Sequence, residues 1–505
     1  MTERPETDFA YDRMPYPGIA DPEAHPRQLE ALATFFGMQP QSLSSARVLE
    51  IGCASGKHLL PMALDYPQAQ FVGVDLSGEQ IQAARAVAER LELSNVEFRH
   101  NNLLEIDACW GEFDYILCPG VFSWVPPELQ AKILEISRRN LAPQGVAIVS
   151  YNTYPGWHFY RVARDAMRYH ALQFQEPQRQ VSEARGALQF FAANSPETTM
   201  HGRLYRNRAG FLGRAADSYL YHDYLVHDNW PLYFHEFIER AESNDLQLVS
   251  EADYARMTSA FYPPGAREEL AKLSLVHREQ VLDFLRNQSY RKTILCRRDV
   301  ALDRQVDLEG FGRFQLTLAQ IPEPQDFDLS SEEPLEFRSA LGSFRTASPF
   351  GKAALRCLID CFPHAIAFDD LFQRTRDVLP KHVQPQTHGG KTPRDVLALS
   401  MVAMMNAGLL RVYLHAPRIA ASVSDRPQVS PLARIELEQG DAVTNQRHDV
   451  LRLDDFAMGV VRLLDGSRDI ERLLREAPPA ANQEVDRDAM CSALEKLYRL
   501  AMLVA

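Results

Sequence analysis

The clearest pattern in the chain lies between residues 47 and 152, where short apolar runs alternate with amphipathic segments. Arg47–Ile51, Gln70–Asp75, Val96–His100, Phe113–Cys118 and residues 146–152 have the length and apolarity of buried strands. Between them lie helical patterns: one ending near Asp65, one capped by Ser77, and one from about Pro127 to Asn140. In the second, Gln80 takes the capping-box position, and Ile81, Ala84, Ala88 and Leu91 share one face. Such alternation predicts an α/β fold, an open parallel sheet covered by helices on both sides. Upstream, residues 1–46 are rich in Pro and Tyr and turn helical over about 26–37. Downstream, long aromatic-rich helical segments cover about 158–194 and 208–240, followed by two late strands, 246–250 and 292–297. The sheet domain is therefore expected over 47–300, with helical insertions at about 158–240 and 256–290. The Pro- and acid-rich stretch 301–338 suits a linker or edge strands.

The last third repeats itself weakly. Residues 351–360 resemble 456–465, and each is followed by a second amphipathic helix and then a third that runs into a short apolar strand. Helix, helix, helix, strand, twice over, predicts a mainly α tandem of winged-helix-like units, 339–420 and 421–505.

Composition narrows the classes. With 505 residues, 46% hydrophobic and 10% aromatic, the chain has the make-up of about three packed domains rather than a disordered one. No run approaches the ~20 apolar residues that span a bilayer, so membrane insertion is not expected. The net charge of −13 argues against a protein whose task is gripping nucleic acid. It is also uneven: residues 339–505 hold 21 Lys+Arg against 20 Asp+Glu, leaving 33 against 47 in residues 1–338. Seven cysteines without CxxC spacing, and a start without basic or apolar signal regions, make a reduced cytoplasmic location the expectation. Cys357 and Cys361 read as core thiols. His222, His227 and His235 with Asp223 lack ligand spacing, and no metal is expected.

The stretch that carries chemistry is Val48-Leu49-Glu50-Ile51-Gly52-Cys53-Ala54-Ser55-Gly56, a strand entering a glycine turn and a helix. Gly52 and Gly56 let the backbone approach a bound molecule. Asp75 ends the next strand, where a carboxylate accepts hydrogen bonds from ribose hydroxyls. The dinucleotide fingerprint is missing, since no glycine stands at position 57. Glu50 would repel a phosphate there and welcome an ammonium. S-adenosylmethionine offers an ammonium, a ribose and an adenine, and no phosphate.

Glu50 to Gly56 resembles the first motif of class I S-adenosylmethionine-dependent methyltransferases, E/D-x-G-x-G-x-G, with Ala54 replacing the middle glycine. Asp75 stands as the second motif, and Asn102 occupies the position where an Asp often meets the adenine amino group. Finer strings narrow the resemblance: residues 11–17 (Tyr-Asp-Arg-Met-Pro-Tyr-Pro), His25-Pro26, residues 122–126 (Phe-Ser-Trp-Val-Pro), residues 150–158 (Ser-Tyr-Asn-Thr-Tyr-Pro-Gly-Trp-His), residues 233–237 (Tyr-Phe-His-Glu-Phe) and residues 443–448 (Val-Thr-Asn-Gln-Arg-His). Together they resemble bacterial methyltransferases that carry a methyltransferase regulatory domain and a winged-helix tail, including the lysine methyltransferases of outer-membrane proteins. The resemblance implies a Rossmann-like seven-stranded class I methyltransferase sheet with helical insertions, followed by the winged-helix region. It implies cofactor contacts from Glu50, Gly52, Cys53, Gly56, Asp75, Leu76, Asn102, Leu103 and Gly120. The loops after the fourth and fifth strands face the methyl group in that fold, which makes Trp124, Tyr151, Asn152, Tyr154 and Trp157 acceptor-pocket residues. Tyr16 and His25 are expected to close over the cofactor from the arm, residues 1–46. The implied substrate is a protein bearing lysines. A small-molecule acceptor is the alternative enzyme reading, and a cofactor-sensing DNA-binding protein a third that the neutral tail disfavours.

Overall fold

In a computed structural model, which describes residues 10–16, 18–384, 389–479 and 486–504, seven strands form one mixed sheet. Residues 1–9 and Pro17 of the expected arm, and 480–485 and 505 of the expected last unit, lie outside the described residues. The strands are β1 (Arg47–Ile51), β2 (Gln70–Asp75), β3 (Val96–His100), β4 (Phe113–Cys118), β5 (Leu141–Asn152), β6 (Leu246–Glu251) and β7 (Tyr290–Arg297). Their order is β3-β2-β1-β4-β5-β7-β6, and only β7 runs antiparallel to its neighbours. The order in which strands join the sheet reverses between the parallel neighbours β1 and β4, and this switch point places the ends of both strands beside one crevice. The seven-stranded class I methyltransferase sheet and the winged-helix tail are both present.

Each boundary has a local cause. Ser77 accepts the Gln80 N–H and opens the helix Gly78–Arg90. The long helical run expected over 158–194 is instead two helices, Gly156–Ala171 and Pro177–Asn194, because Pro177 can only open a helix. The run expected over 208–240 is also broken. Met200–Leu212 ends near Gly213, a π-turn covers Tyr221–Leu225, residues 226–233 are irregular around Pro231, and Phe234–Glu242 begins afresh. Phe234–Glu242 packs on the sheet, whereas the helices before it gather around a separate core that includes Met167, Val181, Leu188 and Tyr224.

The two C-terminal units share one topology. In the first, Gln315–Leu318 is the central strand between Ile366–Ala367 and Leu410–Tyr413, with helices Pro349–Cys361, Phe368–Val378 and Pro393–Asn406. In the second, Gln428 and Val429 bridge Asp465 and Leu503 around helices Asp455–Leu463, Ile470–Glu476 and Arg487–Arg499. Part of 301–338 is thus the centre of a sheet rather than a linker or an edge, because each unit needs a strand ahead of its first helix. The core under one sheet face (Val48, Phe71, Ile148, Ile294) continues without a break into the first unit (Leu316, Leu355, Met401). The second unit has a core of its own.

Candidate functional site

The glycine turn is held open by sterics. Gly52 and Gly56 have φ of +75° and +74°, and a methyl group on either would lie 2.2 Å from Val121 Cγ2 or 2.6 Å from the Phe98 ring. Ala54, in the place of the middle glycine, also adopts a left-handed φ of +46°. Its N–H donates to Asp75 Oδ2 at 2.9 Å, and the Ser77 N–H donates to Oδ1 at 2.9 Å. These bonds orient the Asp75 carboxylate and leave each oxygen a second lone pair for a ribose hydroxyl. Burial raises the Asp75 pKa, and the same backbone bonds oppose the rise.

Glu50 is buried, and its Oε2 has no partner. Burial, and then the carboxylates of Asp75 and Asp21, push it well above the usual range. An isolated buried carboxylate is costly, and a bound cation removes that cost. On the adenine side Leu76 keeps 46% of its surface exposed and Leu103 is half-buried. Asn102 Oδ1 accepts the Leu104 N–H, which ties its side chain to its own turn. Cys53 is buried under the turn, and Gly120 (φ +71°) has open space where a Cβ would stand while its N–H donates to Ser150 Oγ at 2.7 Å. This donor set fits S-adenosylmethionine. Glu50 would meet the ammonium, Asp75 the ribose, and Leu76 with Leu103 the adenine faces.

The arm crosses this turn. A Cβ on Gly18 would stand 3.4 Å from Ala54 Cβ. Ser77 Oγ donates to Asp12 at 2.5 Å, and Gln80 Nε2 donates to the Tyr16 carbonyl at 2.8 Å. On its far side the arm grips the insertion: Tyr11 stacks on His222 at 4.2 Å, Tyr16 meets the same ring edge-on, and His222 Nε2 donates to the Met14 carbonyl. His25 does not join this closure. It caps the helix Pro26–Phe35 and packs against His448, 4.6 Å between ring centroids, because its ring accepts the Arg27 N–H and turns into the core.

Register decides which residues of β5 reach the site. Asn152 pairs with Tyr290, Ser150 with Lys292 and Tyr151 with Arg291. Directly opposed residues share a face, so Ser150, Asn152, Tyr290 and Lys292 line the side of the arm. Tyr151 does not. It is buried in the opposite core, stacked on Phe237 at 4.1 Å with its hydroxyl 3.0 Å from Thr293 Oγ1, because strand alternation turns it away. Asn152 is buried with Nδ2 unpartnered. Trp124 and Trp157 meet edge to face at 6.0 Å, and Tyr154 lies farther along, stacked on His158 at 4.1 Å.

Sequence reasoning weighed Asp223 only as a metal ligand, and did not place it among the acceptor-pocket residues. The π-turn carries it into a group of hydroxyls, with Tyr219 hydrogen-bonded to it and Tyr11, Tyr16 and Tyr290 within electrostatic reach. Burial, opposed by the Tyr219 bond and Arg164, raises Asp223 to about 7. The Tyr290 hydroxyl donates to Ser150 Oγ at 2.7 Å, beside Gly120, and its pKa is pushed up to about 12 by burial. Tyr11 feels both Asp223 and Asp75, so this pocket adjoins the cofactor cradle. The only signal in the sequence was the density of aromatics around one acid, Tyr219 to Tyr224. Among the described residues no group of three or more His, Cys, Asp or Glu is placed to hold a metal ion, and no helix is long and apolar enough to cross a membrane.

Three family models match the chain: a methyltransferase domain over residues 42–187, a predicted methyltransferase regulatory domain over 216–297, and the PKMT C-terminal winged helix domain over 425–485. An uncharacterized protein of Rickettsia prowazekii is 31% identical over 474 residues, covering 92% of this chain and 84% of its own. A second from the same organism is 36% identical over 242 residues, 48% of this chain and 97% of its own. The solved structure of PKMT2 from Rickettsia typhi in complex with AdoHcy superposes with a TM-score of 0.83 at 28% identity, covering 97% of this chain and 100% of that one.

Proposed function

Because the chain belongs to the S-adenosylmethionine-dependent methyltransferases that carry a methyltransferase regulatory domain and a PKMT winged-helix domain, we propose that it methylates lysine side chains of a protein. The observation that carries this reading is Asp223 among the hydroxyls of Tyr11, Tyr16, Tyr219 and Tyr290. A desolvated carboxylate ringed by aromatic faces suits an ammonium, through charge and cation–π attraction. The bound cofactor supplies an electrophilic methyl group on a sulfonium. The acceptor nitrogen must arrive unprotonated, and free lysine has a pKa near ~10.4. With a pKa of about 7, Asp223 is poised to take that proton at physiological pH. Tyr290 would then help fix the amine beside Gly120, and the tyrosines exclude water from the transfer. A polar cleft of about 500 Å³ shares Tyr290 with the pocket and is lined by Glu23, Asp253, Arg256 and Lys292 among others, room for a polypeptide to lie beside its target lysine. The likeness to the structure solved for PKMT2 in complex with AdoHcy supports the same reading.

The test is mass spectrometry of lysate proteins incubated with the enzyme and isotopically labelled S-adenosylmethionine. Label on lysine residues, lost with Asp223→Asn, is the expected result. S-adenosylhomocysteine release with label confined to small molecules would overturn the lysine assignment. In a pH profile of kcat/KM, wild-type activity is expected to rise through about pH 7 as Asp223 ionises, and Asp223→Asn to lose that limb and need a more alkaline pH.

A further inference from the structure

The segment 443–448 is used neither by the cofactor cradle nor by the acceptor pocket. It leads out of the strand Ala442–Thr444 into a tight turn, in which Asn445 Oδ1 accepts the N–H groups of Arg447 and Asp449 at 2.9 and 2.8 Å. Asn445 Nδ2 donates to the Leu500 carbonyl of the second winged-helix unit. Arg447 donates to the carbonyls of Leu318 and Ala319 in the first unit and lies over the Phe362 ring. The turn is therefore fixed to both units, and it presents His448, buried and in a left-handed conformation (φ +68°), to the methyltransferase core.

There His448 Nε2 lies 2.9 Å from His58 Nδ1, and the same Nδ1 accepts the Asp21 backbone N–H at 3.1 Å. A backbone N–H can only donate. His58 Nδ1 is therefore the acceptor, its proton sits on Nε2, and His448 Nε2 is the donor. Burial keeps the rings uncharged at neutral pH, lowering His58 to about 4 and holding His25 and His448 well below the usual imidazole value. His58 stands two residues after Gly56 and immediately before the helix Leu59–Asp65. Asp21 is in the arm, and its carboxylate holds Lys292 of β7 at 2.6 Å. One imidazole of the tail thus connects to the exit of the glycine turn, to the arm, and to the strand that carries Tyr290.

We infer that His448 is a positioning residue of the cofactor site, acting through His58 Nδ1 to hold the glycine turn and the Asp21 segment in the arrangement that binds S-adenosylmethionine. The C-terminal region is on this reading a part of the cofactor machinery. The inference is independent of the acceptor being a lysine.

The experiment is calorimetric titration of the full chain with S-adenosylhomocysteine, alongside thermal unfolding without ligand. An asparagine amide oxygen can stand where imidazole Nδ1 stands, and a glutamine amide nitrogen where Nε2 stands. His58→Asn and His448→Gln are expected to bind within about threefold of wild type. His58→Gln and His448→Leu are expected to weaken binding about tenfold, ~1.4 kcal/mol, with melting temperatures close to those of their paired variants and KM for the acceptor unchanged. Equal affinity within each pair, or losses that follow melting temperature instead of the placement of the amide, would overturn the inference. If His448→Leu does not fold, the two His58 variants decide it.

Discussion

Ala54 and Glu50 both sit in the cofactor turn, and each sets local stability against binding. A left-handed backbone costs an L-residue roughly 1–2 kcal/mol, and Ala54 accepts that cost where the motif normally has glycine. Ala54→Gly is expected to raise the unfolding free energy by about 1 kcal/mol, part of the relief being returned as chain entropy, and urea denaturation would register it. An unchanged midpoint would mean that the Asp75 bond already absorbs the strain. Glu50→Gln should act with opposite signs on stability and binding. The ligand-free variant should be more stable, since an amide replaces a desolvated carboxylate, and cofactor affinity should fall by about tenfold or more. The pH sign follows from the direction of the shift. A carboxyl raised above its ordinary value of about 4.5 is costlier to ionise in the native state, so wild-type stability contains a component that falls as pH rises above that value. The difference between wild type and Glu50→Gln should widen toward neutral pH. A difference constant with pH would mean that the Glu50 carboxyl titrates alike in the native and unfolded states.

At the scale of elements, β7 is the member on which the most depends. Arg291 bonds Glu251 and Asp283 at 2.8–3.1 Å, approaches Glu279 at 3.4 Å and lies over the Phe234 ring at 3.9 Å, all in the core. It ties β7 to β6 and to the helix Leu275–Arg286. Arg291→Met would leave this group without its cation, and a loss of about 3–5 kcal/mol is expected in denaturant titration. Glu279→Gln should cost far less, because burial already raises Glu279 to about 7 beside the same arginine. A large loss there would mean that Glu279 is ionised in the native state. The strands themselves were legible, since apolar runs bounded by turns and caps are local signals. The break over 226–233 was not read, although Pro231 lay in it, because the aromatics on either side continue a helical pattern. That break is what lets the π-turn deliver Asp223.

For the whole molecule, one continuous core under the sheet and the first winged-helix unit means that the two are not separable bodies. A chain ended at residue 300 would uncover the part of that core that packs on the unit, Phe35 against Phe314 among it, and is expected to aggregate. Size-exclusion chromatography and near-ultraviolet dichroism would check this, and a monodisperse folded product would contradict it. The segment matched as a regulatory domain is likewise built into the sheet, supplying β6, β7 and the Asp223 pocket. The surplus of acid in residues 1–338 is not gathered in the cleft beside Tyr290, where Glu23 pairs with Lys292 and Asp253 with Arg256.

The sequence by itself determined the sheet, the cofactor turn and the repeated tail. Strand periodicity, glycines at left-handed positions and an acid at a strand end are properties of neighbouring residues, and physics acts on them locally. Only the tertiary structure decided which residues of β5 share the face on which the arm lies, because a face is set by pairing with β7, some 140 residues away. It turned Tyr151 into the core, moved His25 from the cofactor to the tail, brought in Asp223, and set His448 against His58 across 390 positions of chain. Contacts of that range leave no mark in the spacing of residues, since they depend on how distant elements pack rather than on what stands beside them.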